Sequence, residues 1–80
     1  MDDIALKVKK IIAEELQVDE ADISDSASIS DLGGDSLKAL ALVSAFEANF
    51  DITIPDEDVM AMNTIESVID IVKKNLKKDD

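Results

Sequence analysis

An all-α fold, a small four-helix bundle of three longer helices and one short one with a long first loop, is what these 80 residues predict. Three observations carry that expectation. Apolar side chains recur every three or four positions in three separate stretches, the period of an amphipathic helix. Glycine and proline together amount to Gly33, Gly34 and Pro55, too few for the many turns of a sandwich of short strands. Hydrophobic residues make up 46% of a chain that is long enough for one core and no second, so residues 1–80 read as a single domain.

Residues 3–17 read as the first helix. Ile4, Val8, Ile11, Ile12 and Leu16 share one face, and Asp2 and Asp3 provide the cap and a negative first turn. Residues 18–35 carry six acidic side chains, four serines at 24, 26, 28 and 30, and no lysine. Val18, Ile23, Ile29 and Leu32 are sparse apolar anchors there, which predicts a long loop pinned to the core at intervals; loops of this length tend to be functional.

Residues 36–50 are the most apolar segment and form the second helix. Leu40, Val43, Phe46 and Phe50 make one stripe; Leu37, Ala41, Ala45 and Ala48 make another. A helix apolar on two sides either lies in the middle of the bundle or offers one side to a partner. After the short β-branched run Ile52-Thr53-Ile54, Pro55 stands at a helix start with Asp56, Glu57 and Asp58 in the first turn. That helix, of about two turns, carries Val59 and Met62 inward. Thr64 is the cap of the last helix, whose stripe is Ile65, Val68, Ile69, Val72 and Leu76. Lys73, Lys74, Lys77 and Lys78 suit its carbonyl end.

Charge and missing residue types exclude several functions. The chain has 19 acidic residues and 8 basic ones, all lysine, for a formal net charge of −11. Such a charge repels a phosphate backbone, so nucleic acid is not a partner. With no histidine and no cysteine, a Ser-His-Asp triad, an imidazole or thiolate metal site, a disulfide framework and a thiol nucleophile of the protein's own are all excluded. No stretch is apolar for long enough to span a membrane, and no secretory signal pattern heads the chain, so the expected compartment is the cytoplasm.

The sharpest local feature is Asp31-Leu32-Gly33-Gly34-Asp35-Ser36-Leu37. Two glycines give the backbone freedom for a tight turn, Asp35 stands at the cap of the second helix, and Ser36 is its first residue. A phosphate ester on a hydroxyl at that place is stabilised by free N–H groups and by the positive end of the helix dipole. The same four residues, Gly-Gly-Asp-Ser, are also what an ordinary turn and helix cap look like.

With that motif opening the second helix after a long loop, in an acidic chain of this length, the sequence resembles the acyl carrier proteins. Val8-Lys9-Lys10-Ile11-Ile12, Phe50-Asp51, Ile54-Pro55-Asp56-Glu57 and Ile69-Asp70 extend the resemblance over nearly the whole chain. It implies that Ser36 is esterified with phosphopantetheine, donated by coenzyme A through a phosphopantetheinyl transferase. Asp35 then helps the transferase and its divalent metal engage the site, and Leu37 is a contact for it and for other partners. The reactive thiol belongs to the prosthetic group, which holds acyl chains as thioesters, and the protein is a non-catalytic, monomeric carrier with no metal site of its own. Its partners are acyl-transfer and chain-elongation enzymes of fatty acid or related lipid biosynthesis. The resemblance further implies that a core of Val43, Phe46, Ile54, Val59, Met62, Ile69 and Val72 opens to admit an acyl chain.

One departure from the family stands out. Carriers of fatty acid synthesis usually place acidic residues along the second helix, and here the positions read Lys38 and Ala41, followed by Ala48. The outward side is expected to be Leu37, Lys38, Ala41, Ser44, Ala45 and Ala48, extended by Met60, with no net charge between Ser36 and Phe50. This points to more specialised partners read through a more apolar contact, against the ordinary reading that small surface residues are neutral. Polyketide, peptide and D-alanyl carriers share the serine and the fold. From other classes, an acidic divalent-cation-binding module is open for Asp19, Glu20, Asp22 and Asp25, although their spacing does not match the EF-hand loop. A small enzyme pairing Ser36 with Lys38 fails because i and i+2 do not face each other on a helix.

Overall fold

A computed structural model of the chain describes residues 3–78, and the side chains of Ser36, Lys77 and Lys78 are not among those described. The role expected of Asp2 lies outside the described residues, and those expected of Lys77 and Lys78 rest on side chains that are not described. Helix α1 runs Asp3–Leu16, α2 Ser36–Phe50, α3 Asp56–Met60 and α4 Ile65–Lys78. Among the described residues there is no strand, and no helix is long and apolar enough to cross a membrane.

Helix α1 ends where Gln17 turns left-handed, with φ of 57°, and the Val18 N–H donates to the Ala13 carbonyl at 3.0 Å. Helix α2 ends the same way: Asp51 has φ of 54°, and the Ile52 N–H donates to the Glu47 carbonyl at 3.2 Å. This closure satisfies carbonyls that a helix end would otherwise leave free.

Helix α1 packs against both α2 and α4, so it is the middle helix of the bundle. Val8 and Ile12 are fully buried there with Phe46, Ile65 and Val72. Of the two roles open to an apolar-sided second helix, α2 therefore takes the second and leaves one flank uncovered. Leu42, Val43 and Phe46 face the core. Leu40, expected in that stripe, is 59% exposed, because the α1 contact selects the flank that carries Leu42 instead.

After α2 the chain is extended without a partner strand. Ile52 and Ile54 point inward, Thr53 outward, and the Ile54 N–H donates to Glu47 Oε2 at 2.9 Å. Helix α3 has five residues, shorter than the two turns expected, and Met62 lies beyond its end. Pro55 is its N-cap, with φ of −63°, and the Pro55 carbonyl accepts the N–H groups of Asp58 and Val59. Asp58, read from the sequence as a first-turn acid, is buried at 6% exposure. It accepts Lys74 Nζ at 3.0 Å and Asn75 Nδ2 at 3.1 Å, tying α3 to α4. Thr64 caps α4 as expected: Thr64 Oγ1 accepts the Ser67 N–H, and Ser67 Oγ in turn accepts the N–H groups of Thr64 and Asn63.

The long loop is pinned as expected, with Ile23 and Ile29 buried, Val18 and Leu32 half-buried, and a single 3-10 turn at Glu20–Asp22. Its backbone also crosses the start of α4, which the sequence did not indicate. Ser28 and Thr64 form an isolated antiparallel bridge. The Ile65 N–H donates to the Ala27 carbonyl at 2.9 Å and the Glu66 N–H to the Asp25 carbonyl at 3.0 Å. Two of the N–H groups that open α4 are thus satisfied by the loop. Lys9 Nζ, 2.8 Å from Asp25 Oδ1, ties the same segment to α1.

Candidate functional site

The turn before α2 is built by hydrogen bonds that all fold back onto residues 28–30. The Asp31 N–H donates to Ser28 Oγ at 3.0 Å, the Leu32 N–H to the Ile29 carbonyl at 3.1 Å, and the Gly33 N–H to the Ser30 carbonyl at 3.0 Å. The Gly34 N–H then returns to the Ile29 carbonyl at 2.9 Å. The two glycines are there for different reasons. Gly33 has φ of 88°, a left-handed conformation that a side chain resists, and open space around it. Gly34 has no room: a Cβ there would run into Ile29 Cγ2 and press on the Ile29 carbonyl.

Asp35 leaves this turn in an extended conformation and caps α2, accepting the Lys38 N–H on Oδ1 at 2.9 Å. Ser36 follows as the first helical residue. Its place is thereby fixed by the backbone on both sides, and a group attached there meets the positive end of a 15-residue helix.

A groove of about 410 Å³ opens beside this turn, lined by Ser28, Ile29, Ser30, Gly34, Asp35, Ala39, Met62 and Asn63. It runs between the loop, the first turn of α2 and the connection from α3 to α4. Its mixed lining of hydroxyls, an amide and a carboxylate with Ile29, Ala39 and Met62 fits a linear group that alternates amides with methyl and methylene carbons. Of the residues named from the sequence for the attachment site, Asp35 and Leu37 flank Ser36, and Leu37 is 78% exposed. Nothing in the sequence assigns Ser28, Ser30, Ala39 and Asn63 to one groove, since it takes the bonds between the loop and the start of α4 to bring these distant segments together.

The residues named for the interior, Val43, Phe46, Ile54, Ile69 and Val72, are buried in one continuous core, with Val59 and Met62 half-buried against it. Those named for the outward side of α2 are more divided. Leu37, Lys38, Ala41, Ser44 and Ala48 are exposed, as is Met60 on α3 at 84%, whereas Ala45 is half-buried against the core. Leu40 joins the exposed set, so Leu37, Leu40, Ala41, Ser44 and Ala48 form one uncharged flank at helical spacing. Among the described residues, no group of three or more carboxylates is arranged to hold a metal ion.

A family model described as a phosphopantetheine attachment site matches residues 6–72. Among solved structures, an acyl carrier protein from Thermotoga maritima is 31% identical with a TM-score of 0.81, over 94% of this chain and 88% of that one. A mupirocin didomain ACP is similar in fold, at 20% identity and a TM-score of 0.79, over 94% of this chain and 41% of that one.

Proposed function

The chain belongs to the family defined by a phosphopantetheine attachment site, and on that premise we propose that residues 1–80 are one carrier domain whose attachment residue is Ser36. Membership makes it a non-catalytic acyl carrier, a substrate of other enzymes, with a covalent phosphopantetheine group. When bound, that group supplies a thiol on a long flexible arm, which holds acyl chains as thioesters. The observation that supports Ser36 is the turn from Asp31 to Asp35, which delivers this residue to the first position of α2 beside the mixed groove. In loading, the Ser36 hydroxyl oxygen bonds to the pantetheine phosphorus of coenzyme A. The pyrophosphate bond breaks, the adenosine bisphosphate leaves, and the hydroxyl proton passes to a base of the transferase. Asp35 holds the turn and offers a carboxylate to the metal of the transferase, and Leu37 offers an apolar contact.

Intact mass after incubation with coenzyme A and a phosphopantetheinyl transferase tests this. The expected result is a gain of one phosphopantetheine that is absent from Ser36→Ala. No gain in the wild-type chain overturns the assignment.

The acyl chain rests between α2, α3 and α4, among Val43, Phe46, Ile54, Val59, Met62, Ile69 and Val72, and the recipients are acyl-transfer and chain-elongation enzymes. The overall acidity and the Ile54-Pro55-Asp56-Glu57 segment favour fatty acid or related lipid synthesis. A specialised pathway is the second reading, supported by the uncharged flank of α2. A basic groove finds no carboxylate on Leu37, Leu40, Ala41, Ser44 or Ala48 to pair with. Transfer rates with general fatty acid synthesis enzymes separate the two. Rates well below those of a standard carrier are expected for a specialised member, and equal rates return the chain to the general pathway.

A further inference from the structure

Ile29 lies seven residues before the proposed attachment serine and makes several of the contacts that set its position. The Ile29 carbonyl accepts both the Leu32 and the Gly34 N–H groups, at 3.1 and 2.9 Å. Its Cγ2 methyl occupies the space that a Cβ on Gly34 would need. Its own N–H donates to the Asn63 carbonyl at 2.9 Å, and the Asn63 N–H is held by Ser67 Oγ at 3.1 Å. Ile29 is buried, so these contacts hold it from three sides. The turn that presents Ser36 is therefore referenced through one residue to the cap of α4, an element 29 residues further along the chain.

We propose that Ile29 is a positioning residue for modification of the carrier: its Cγ2 methyl and its carbonyl together set the height of Gly34, and so the place of Asp35 and Ser36 against the transferase. The proposal rests on Ser36 being the attachment residue. With Leu37 as the apolar contact for the transferase, as proposed above, a displaced turn leaves docking intact and slows the transfer itself. An error of about 1 Å at a reacting atom lowers a rate by about a hundredfold, so a shift of a few tenths of an ångström is enough to read.

The test is the steady-state kinetics of phosphopantetheine transfer to the full chain, with coenzyme A saturating. Ile29→Leu conserves volume but moves the branch off Cβ, removing the methyl that meets Gly34; Ile29→Val keeps that methyl. Leu16→Ala, a buried residue of α1 that takes no part in this turn's hydrogen bonds, is the control for loss of core packing alone. Ile29→Leu is expected to lower kcat about tenfold with KM unchanged, a fraction of the penalty for a full ångström. Ile29→Val stays within about threefold of wild type, and Leu16→Ala keeps kcat while losing stability in urea. Gly34→Ala, which pushes on Ile29 from the other side, lowers kcat in the same way. The proposal is overturned if Ile29→Leu keeps the wild-type kcat, if only KM changes, or if Leu16→Ala loses kcat to the same extent. Failure of the wild-type chain to accept the group would instead overturn the choice of Ser36, and this inference with it.

Discussion

Asp58 shows how much one side chain holds here. Its carboxylate is buried between α3 and α4 and takes hydrogen bonds from Lys74 and from Asn75, which is itself 2% exposed. Asn75 Nδ2 also donates to the Ile71 carbonyl, so it keeps one partner if Asp58 is removed. Lys74 is half in solvent, which screens its share. Asp58→Ala is therefore expected to cost about 2 kcal/mol, the range for a buried hydrogen bond to a charged group, read as a lower urea midpoint at unchanged slope. A midpoint equal to wild type would mean that the carboxylate contributes nothing net. Little of this was legible in the sequence. Asp56, Glu57 and Asp58 look alike as first-turn acids, and only a partner 17 residues away distinguishes the third. Ser36 and its capping Asp35 were legible because their signal is local: two glycines, a cap residue and the start of an apolar period within seven residues.

At the scale of elements, α1, α2 and α4 follow their apolar periods closely, and α2 has the bounds its sequence predicts. What periodicity could not choose was the covered flank of α2, since both of its stripes are apolar. The choice was made by α1, and it put Leu42 inside and Leu40 outside. Helix α3 is the weakest element. Five residues cannot repay the cost of nucleating a helix, so it stands on Pro55, on the half-buried Val59 and on the Asp58 contacts. Amide exchange is expected to be faster at Val59, Met60 and Ala61 than at the centres of α1, α2 and α4, and faster still in Asp58→Ala. Protection at those amides equal to that of α4 would contradict this. A loosely held α3 also suits the proposal that the core parts beside Val59 and Met62 to admit an acyl chain.

The whole molecule is packed to a radius of gyration of 11.4 Å, about what a folded chain of this length has, while carrying a net charge of −11. Two stretches without lysine, residues 19–35 at −6 and 51–66 at −5, account for the whole of that net charge, and the Ser28–Thr64 bridge brings the two together. Beyond the Lys9–Asp25 and Lys74–Asp58 pairs, their mutual repulsion acts over a long range in water of low ionic strength and is screened at high. Raising sodium chloride from about 10 mM to about 0.5 M is therefore expected to raise Tm by at least about 5 °C. A melting temperature indifferent to salt would show that the repulsion is already balanced within the fold. The bridge has a second consequence, in time rather than in energy. A chain made from its N-terminus carries Ser36 out of the ribosome well before residues 63–66, yet the bonds of the Ile29 N–H to Asn63, of the Ala27 carbonyl to Ile65 and of the Asp25 carbonyl to Glu66 form only when those residues arrive. The serine is on display early, but its turn is assembled late, so a transferase that reads the turn meets a finished substrate only once residues 63–66 have been made.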